Sequence, residues 1–324
     1  MTAPERHPVA IAVVRAVRRG DLEALARLLS ENPGLAGVRL TGDSGVTRTL
    51  LHVVTEWPGH FPNRAAVITA LVAAGAPVDA RFTGPNTETA LHRAASSDDV
   101  AALDALLDAG ADIEADGAVV GGRTAISNAV AFRQWNAARR LVERGARTTF
   151  SEAAALGLHD RVQAFLTAVP PPDTDAITVA FWDACHGDQQ YIAEQLLEHG
   201  ADLNWVGWDR LTPLDEAIRA DANHLARWLR GKGARTAAEI RDDDAGESSP
   251  PESVGLSTAL RLARTFGARA IILMIVPANA AHRRHDLTLV GVAAARLTGS
   301  ARCGDTGSPC WPIAVLAFDI GVSI

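Results

Sequence analysis

The chain has 324 residues, 48% of them hydrophobic, with 31 basic and 38 acidic side chains and a net charge of −7. That balance lacks the concentrated Lys/Arg that phosphate contacts require, which argues against nucleic acid as the main partner, and 3 cysteines make no disulfide framework. Ala and Leu dominate the apolar set beside only 8 Phe and 1 Tyr, and small apolar side chains suit closely stacked helices. Lys232 is the single lysine, an arginine bias of the kind that GC-rich codons produce, which points to a bacterial genome and says nothing of mechanism.

Taken in chain order, residues 1–21 hold a short apolar stretch broken by Arg15 and lack the basic start and small-residue cleavage site of a secretory signal. Helices are predicted near 9–18 and 22–30, separated by Gly20 and Asp21, as a diverged cap that continues to about Val46. Thr49 in TLLH, Thr89 in TALH, Thr124 in TAIS, Thr178 in TVAF and Thr212 in TPLD mark successive helix starts, since threonine caps a helix through its hydroxyl. Gly-Ala pairs close the second helices: those at Gly75, Gly110 and Gly145 are 35 residues apart, and those at Gly200 and Gly233 are 33 apart. Within the second helices Val100, Leu103, Leu106 and Leu107, and again Ile192, Leu196 and Leu197, form one apolar face. WPGHFPN (57–63) reads as an insertion between two helices. Residues 151–168 form a degenerate unit whose PPPD tail (170–173) replaces a longer connection. Seven units result, beginning near 8, 49, 89, 124, 151, 178 and 212.

TALHRAA (89–95), LLDAGADI (106–113), LLEHGADLN (196–204) and TPLDEAI (212–218) resemble the ankyrin repeat, whose signature is T-P-L-H-x-A followed by a second helix ending in L-L-x-x-G-A-D. The resemblance implies an all-α ankyrin-repeat solenoid over residues 1–241, a structural hydrogen-bonding role for His52 and His92, and a non-catalytic scaffold that binds another protein through its fingers and concave groove. By repeat phase the fingers are 80–88, 115–123 and 204–211. The last carries Trp205, Trp208, Asp209 and Arg210, and the first carries Arg81 and Phe82. Aromatic and arginine side chains are common energetic centres of interfaces, so these residues, with Trp57, His60 and Phe61 of the insertion, are the expected partner-binding set. GAVVGG (117–122) offers mainly backbone.

After Arg241, residues 242–252 read as an acidic flexible linker. Residues 253–324 hold no glutamate and 7 arginines against 3 aspartates, whereas residues 1–252 carry 24 basic and 35 acidic side chains. This non-repeat tail, with a helix expected near 258–266 and strands near 271–276 and 313–318, is either a small appended segment or a reading frame running past its natural end, the second being favoured.

Other chemistries are weak. HRRH (282–285) followed by Cys303 and Cys310 has the wrong spacing for zinc, and Asp305 in DTG lacks a second carboxylate. Trp57, His60 and Phe61 beside Glu56 could line a small-ligand or enzymatic pocket, although a packed loop is the simpler reading. A membrane-peripheral role through the apolar tail is weakened by Pro277 and scattered arginines. No cofactor, metal or catalytic residue is expected, no run of about 18 uncharged apolar residues crosses a membrane, and a monomeric cytoplasmic protein is the default expectation.

Overall fold

The computed structural model describes residues 2–42 and 45–247. Among them the helices pair antiparallel in chain order: α1 (Pro8–Arg19) with α2 (Leu22–Glu31), α3 (Leu50–Val54) with α4 (Arg64–Ala73), α5 (Ala90–Ser96) with α6 (Val100–Asp108), and α7 (Ala125–Ala131) with α8 (Trp135–Glu143). The succession continues with α9 (Phe150–Ala155) and α10 (His159–Leu166), α11 (Thr174–His186) and α12 (Gln190–Glu198), and α13 (Pro213–Arg219) and α14 (Asn223–Gly231), followed by α15 (Ala237–Glu247). Helix stacked on helix is thus the architecture, and residues to Ile240 belong to one compact unit. A small sheet of β1 (Thr2–Pro4), β2 (Arg39–Thr41) and β3 (Thr47–Arg48), parallel then antiparallel, ties the N-terminus to the first connection.

The recurring residues close the helix ends. The amide of Thr49 donates to His52 Nδ1 at 3.2 Å and that of Thr89 to His92 Nδ1 at 3.2 Å, so each first helix starts in a reciprocal cap. Glu152 and Asp215 do the same for Thr149 and Thr212 with carboxylates. At the other end, Gly75, Gly110, Gly145, Gly200 and Gly233 all have φ between 88° and 99°. The next amide then reaches back five residues, as in Ala146 N–H to Leu141 C=O at 2.9 Å, and the alanine packs inward. Glycine supplies the left-handed turn and alanine the apolar contact, which is why they occur as a pair.

The α3–α4 connection carries three left-handed residues, Gly59, His60 and Asn63, and each of the other six turns within a helix pair carries one: Gly20, Asp98, Arg133, Gly157, Asp188 and Asp221. Glycine and aspartate accept that conformation readily; among these six Arg133 is the exception, and a non-glycine residue is held there only where its surroundings fix it.

First helices stack on first helices, α5 on α7 and α11 on both α9 and α13, and second helices on second, as α4 does on α6. The buried apolar residues form two clusters. One runs from Ala10 through Leu25, Leu51, Leu71, Leu91, Leu106 and Leu141 to Leu156. The other runs from Ala153 through Phe181, Leu196 and Leu214 to Leu229. They meet in the fifth unit, whose first helix has 6 residues.

Three expected boundaries shift. Thr149, not Ser151, caps the fifth unit. The sixth begins at Asp173, which caps a 13-residue helix, so Thr178 lies inside α11 and its hydroxyl accepts the Asp202 amide at 3.0 Å instead. Aspartate is as good a cap as threonine, and the PPPD segment delivers it a turn earlier. Residues 242–247, expected as linker, continue α15. The remainder of the linker and tail, including His282, His285, Cys303, Asp305, Cys310 and the elements expected at 258–266, 271–276 and 313–318, lies outside the described residues.

Candidate partner-binding surface

The insertion at 57–63 is locked to the next repeat by a buried carboxylate. Asp99 caps α6 through the Ala102 amide at 3.1 Å, accepts the His60 amide at 2.8 Å and pairs with Arg64. His60 Nε2 donates to the Ser97 carbonyl at 2.9 Å. Glu56 is held by Arg18 at 2.8 Å and by Arg48. The acid and the imidazole are therefore each engaged with separate partners, Phe61 is half-buried, and Trp57 stands 65% exposed. The loop is packed against the next repeat through His60.

The first finger is likewise turned to its neighbours. Phe82 lies beneath the Arg93 guanidinium, 4.4 Å from its ring centroid, and 6.0 Å from the His52 ring. Arg81 reaches the following finger, pairing with Asp116 at 2.7 Å. Arg81 and Phe82, expected as partner-binding residues, are thus engaged with other parts of the stack, Phe82 with α3 and α5 and Arg81 with the next finger, while the Arg81 side chain stays 41% exposed. A Cβ at Gly117 would sit 2.5 Å from the Thr87 carbonyl oxygen, which shows how close the two fingers lie.

The finger at 204–211 is different. Trp205 and Trp208 meet edge to face with centroids 6.0 Å apart, and Trp208 remains 59% exposed beside exposed Val206. Asp209 and Arg210 both hold positive φ, and Asp209 faces Arg219 at 3.4 Å. Trp182 anchors the base of this loop by donating from its indole to the Leu211 carbonyl at 2.9 Å. The finger thus displays one tryptophan on a rigid aromatic base, a geometry that offers contact area at small entropic cost.

Beside it on α11 and α13 lies a buried polar cluster that motif reading misses. His186 Nδ1 meets Glu216 Oε2 at 2.8 Å, and its Nε2 meets the Val130 carbonyl at 3.0 Å, so both ring nitrogens face acceptors. Its ring stacks on Trp182 at 5.5 Å and meets the edge of Trp135 at 5.6 Å. Arg133 donates to the His186 carbonyl at 3.1 Å and pairs with Glu216, which Arg219 also holds at 2.7 Å. Burial alone would raise the Glu216 pKa, but His186, Arg219 and Arg133 outweigh it and keep the carboxylate below its ordinary value. Asp183, without an arginine of its own, is pushed up to about 6, by burial first and then by Glu152 and Glu216, against the His186 charge and the Ser151 hydroxyl. Burial also raises the Cys185 thiol well above its usual range. A signal for the cluster was present: aligned on their turns, Arg93, Asn128, Asp183 and Glu216 occupy or adjoin one repeat position, where polar side chains interrupt an apolar helix.

A second buried network, in the first half, has Asn128 donating to Glu88 at 2.8 Å and to Ser96 at 3.1 Å. His52 Nε2 meets the Glu88 carbonyl at 3.0 Å and His92 Nε2 the Arg123 carbonyl at 3.2 Å. With Nδ1 accepting an amide, each ring is neutral and donates from Nε2; burial lowers the His52 pKa to about 3 and the His92 pKa to about 4. Both histidines join consecutive repeats, the role their motif position implies.

A family model of the ankyrin repeat matches residues 86–115, the unit of α5 and α6. Among solved structures, the ankyrin repeat domain of human ASB11 is 21% identical, with 79% of this chain and 98% of that one covered and a TM-score of 0.41. No curated protein matches. The matched unit has a Thr-x-x-His cap, a left-handed inter-helix turn and a Gly-Ala terminator, and those devices return, with substitutions, in the helix pairs around it. The unit at residues 86–115 is thus similar to the ankyrin repeat.

Proposed function

We propose that the array is a non-catalytic scaffold that holds a partner protein through the finger at 204–211 and the adjoining faces of α11 and α13. Ankyrin repeats mediate protein–protein interaction, and the observation that carries this reading is the exposed Trp208 and Val206 above a fixed base of Trp205 and Trp182. Asp209, Arg210 and the exposed Ile218 of α13 supply a mixed rim, the arrangement in which a buried aromatic contributes most. Trp57, His60, Phe61, Arg81 and Phe82 form a secondary contact region in this reading. No helix among the described residues is long and apolar enough to cross a membrane; a bacterial, cytoplasmic and monomeric scaffold is the setting we infer.

The test is to identify a protein retained by the full chain, purify it, and titrate it against wild type and the Trp205→Ala/Trp208→Ala variant by calorimetry. The variant is expected to lose about 2 kcal/mol or more, roughly thirtyfold in Kd. Unchanged affinity in a folded variant removes the finger from the interface.

A further inference from the structure

The exposed side of α1 carries a stripe that the tryptophan finger does not explain. Ala10, Val13, Ala16 and Val17 of this helix are buried. Ile11, Val14, Arg15, Arg18 and Arg19 recur at the i, i+3, i+4, i+7, i+8 spacing of the opposite face, and with Glu5 and Arg48 they line a shallow depression. Its wall is fixed: Arg48 holds Glu5 at 2.9 Å and Glu56, and Glu56 in turn holds Arg18 at 2.8 Å. Arg15 and Arg19 make no ion pair among the described residues, and Ile11 is 46% exposed beside them. Four guanidinium groups and one carboxylate therefore surround an aliphatic floor, in a region of the chain, residues 1–252, where acids outnumber bases 35 to 24.

We propose that this face of α1 binds an acidic segment of a partner protein that carries an aliphatic side chain among its carboxylates. Arginine forks match carboxylate geometry, and two of these forks lack an internal acid to satisfy them. Ile11 and Val14 provide an apolar seat that phosphates would not use. Nucleic acid is disfavoured by number: tight duplex binding draws on about six to ten phosphate contacts, and an acidic surround repels the rest of a polyanion. The surface is independent of the finger at 204–211, so either can fail without the other.

The test uses the full chain and a fluorescein-labelled peptide of about twelve residues, glutamate with leucine at every fourth position, read by fluorescence anisotropy. Saturable binding that weakens steeply with salt is expected, with at least about a tenfold loss for Arg15→Glu/Arg19→Glu and a smaller loss for Ile11→Ser. Both arginines are exposed, so the charge reversal should leave the thermal melt unchanged; if it does not, Arg15→Ala/Arg19→Ala replaces it with the same expectation. The Trp205→Ala/Trp208→Ala variant should bind the peptide as wild type does. The proposal is overturned by absence of saturable binding, by equal binding of the arginine variants, by loss of binding in the tryptophan variant, or by equally tight binding of an all-glutamate peptide or duplex DNA.

Discussion

His52 and His92 show how one side chain can join two repeats and at the same time set a pH limit. Each accepts an amide at Nδ1 and donates from Nε2 to the next repeat, which only the neutral ring can do. Their folded pKa values, about 3 and about 4, lie below the ordinary 6.5, so the unfolded chain binds more protons between those limits. Their stabilisation is complete above about pH 6.5 and is lost as pH falls toward the folded values, by up to about 1.4 kcal/mol per pH unit for each ring. Asp183 acts with the opposite sign: raised from 3.8 to about 6, it favours the native state toward the acid end of that window. Urea midpoints measured from about pH 7.5 to 4 should therefore fall for wild type, fall less for His52→Gln/His92→Gln, and fall more steeply for Asp183→Asn. A double histidine variant with the wild-type slope would assign the acid sensitivity elsewhere.

At the scale of elements, the sixth unit is set by contact rather than motif. The α9 helix is short and α11 is long, and the end of α11 presses on the end of α9: a Cβ on Gly187 would stand 1.9 Å from the Ala155 carbonyl oxygen. Neither backbone can yield without parting the two helices, so Gly187→Ala is expected to cost about 3 kcal/mol in denaturant unfolding. Gly231, at the end of α14, faces open space within 4 Å, and alanine there should be neutral or raise stability by up to about 1 kcal/mol. Equal behaviour of the two variants would mean that α9 and α11 are not in close contact. The sequence announces Thr49, Thr89 and Thr212 as caps because each is followed three residues later by a side chain able to complete the cap. Thr178 carries no such partner, and Asp173 takes its place.

Across the molecule, two apolar clusters meet at the fifth unit, and the polar group of Arg133, His186 and Glu216 spans it, from the turn after α7 to α11 and α13. In a stacked array stability is close to a sum of repeat and interface terms, so a weak interface divides the cooperative unit. Replacing Glu216 by alanine would leave Arg133, Arg219 and His186 without their common carboxylate, a loss of about 3–5 kcal/mol. Urea unfolding of Glu216→Ala is expected to separate into two transitions, with tryptophan fluorescence, to which the second half contributes Trp182, Trp205, Trp208 and Trp228 of the 7 tryptophans, moving before far-UV circular dichroism. One coincident transition with a loss under about 1 kcal/mol would show that the apolar contacts alone couple the halves.

Repeat number, helix phase, the Gly-Ala terminators and the structural use of His52 and His92 were legible in the sequence, because each depends on residues within one repeat length and on local backbone rules. Which polar side chains meet was not. Asp99 receiving His60 and Arg64, Arg133 reaching Glu216 across 83 positions, and Phe82 folding under Arg93 are pairings between units, and their geometry exists only once the helices are stacked. The same stacking drew Phe82 under Arg93 and Arg81 across to Asp116, and left Trp208 and the arginine stripe of α1 outward. Composition marks all of them alike as candidate contacts; burial against a neighbouring repeat, a tertiary property, decides which remain free to meet a partner.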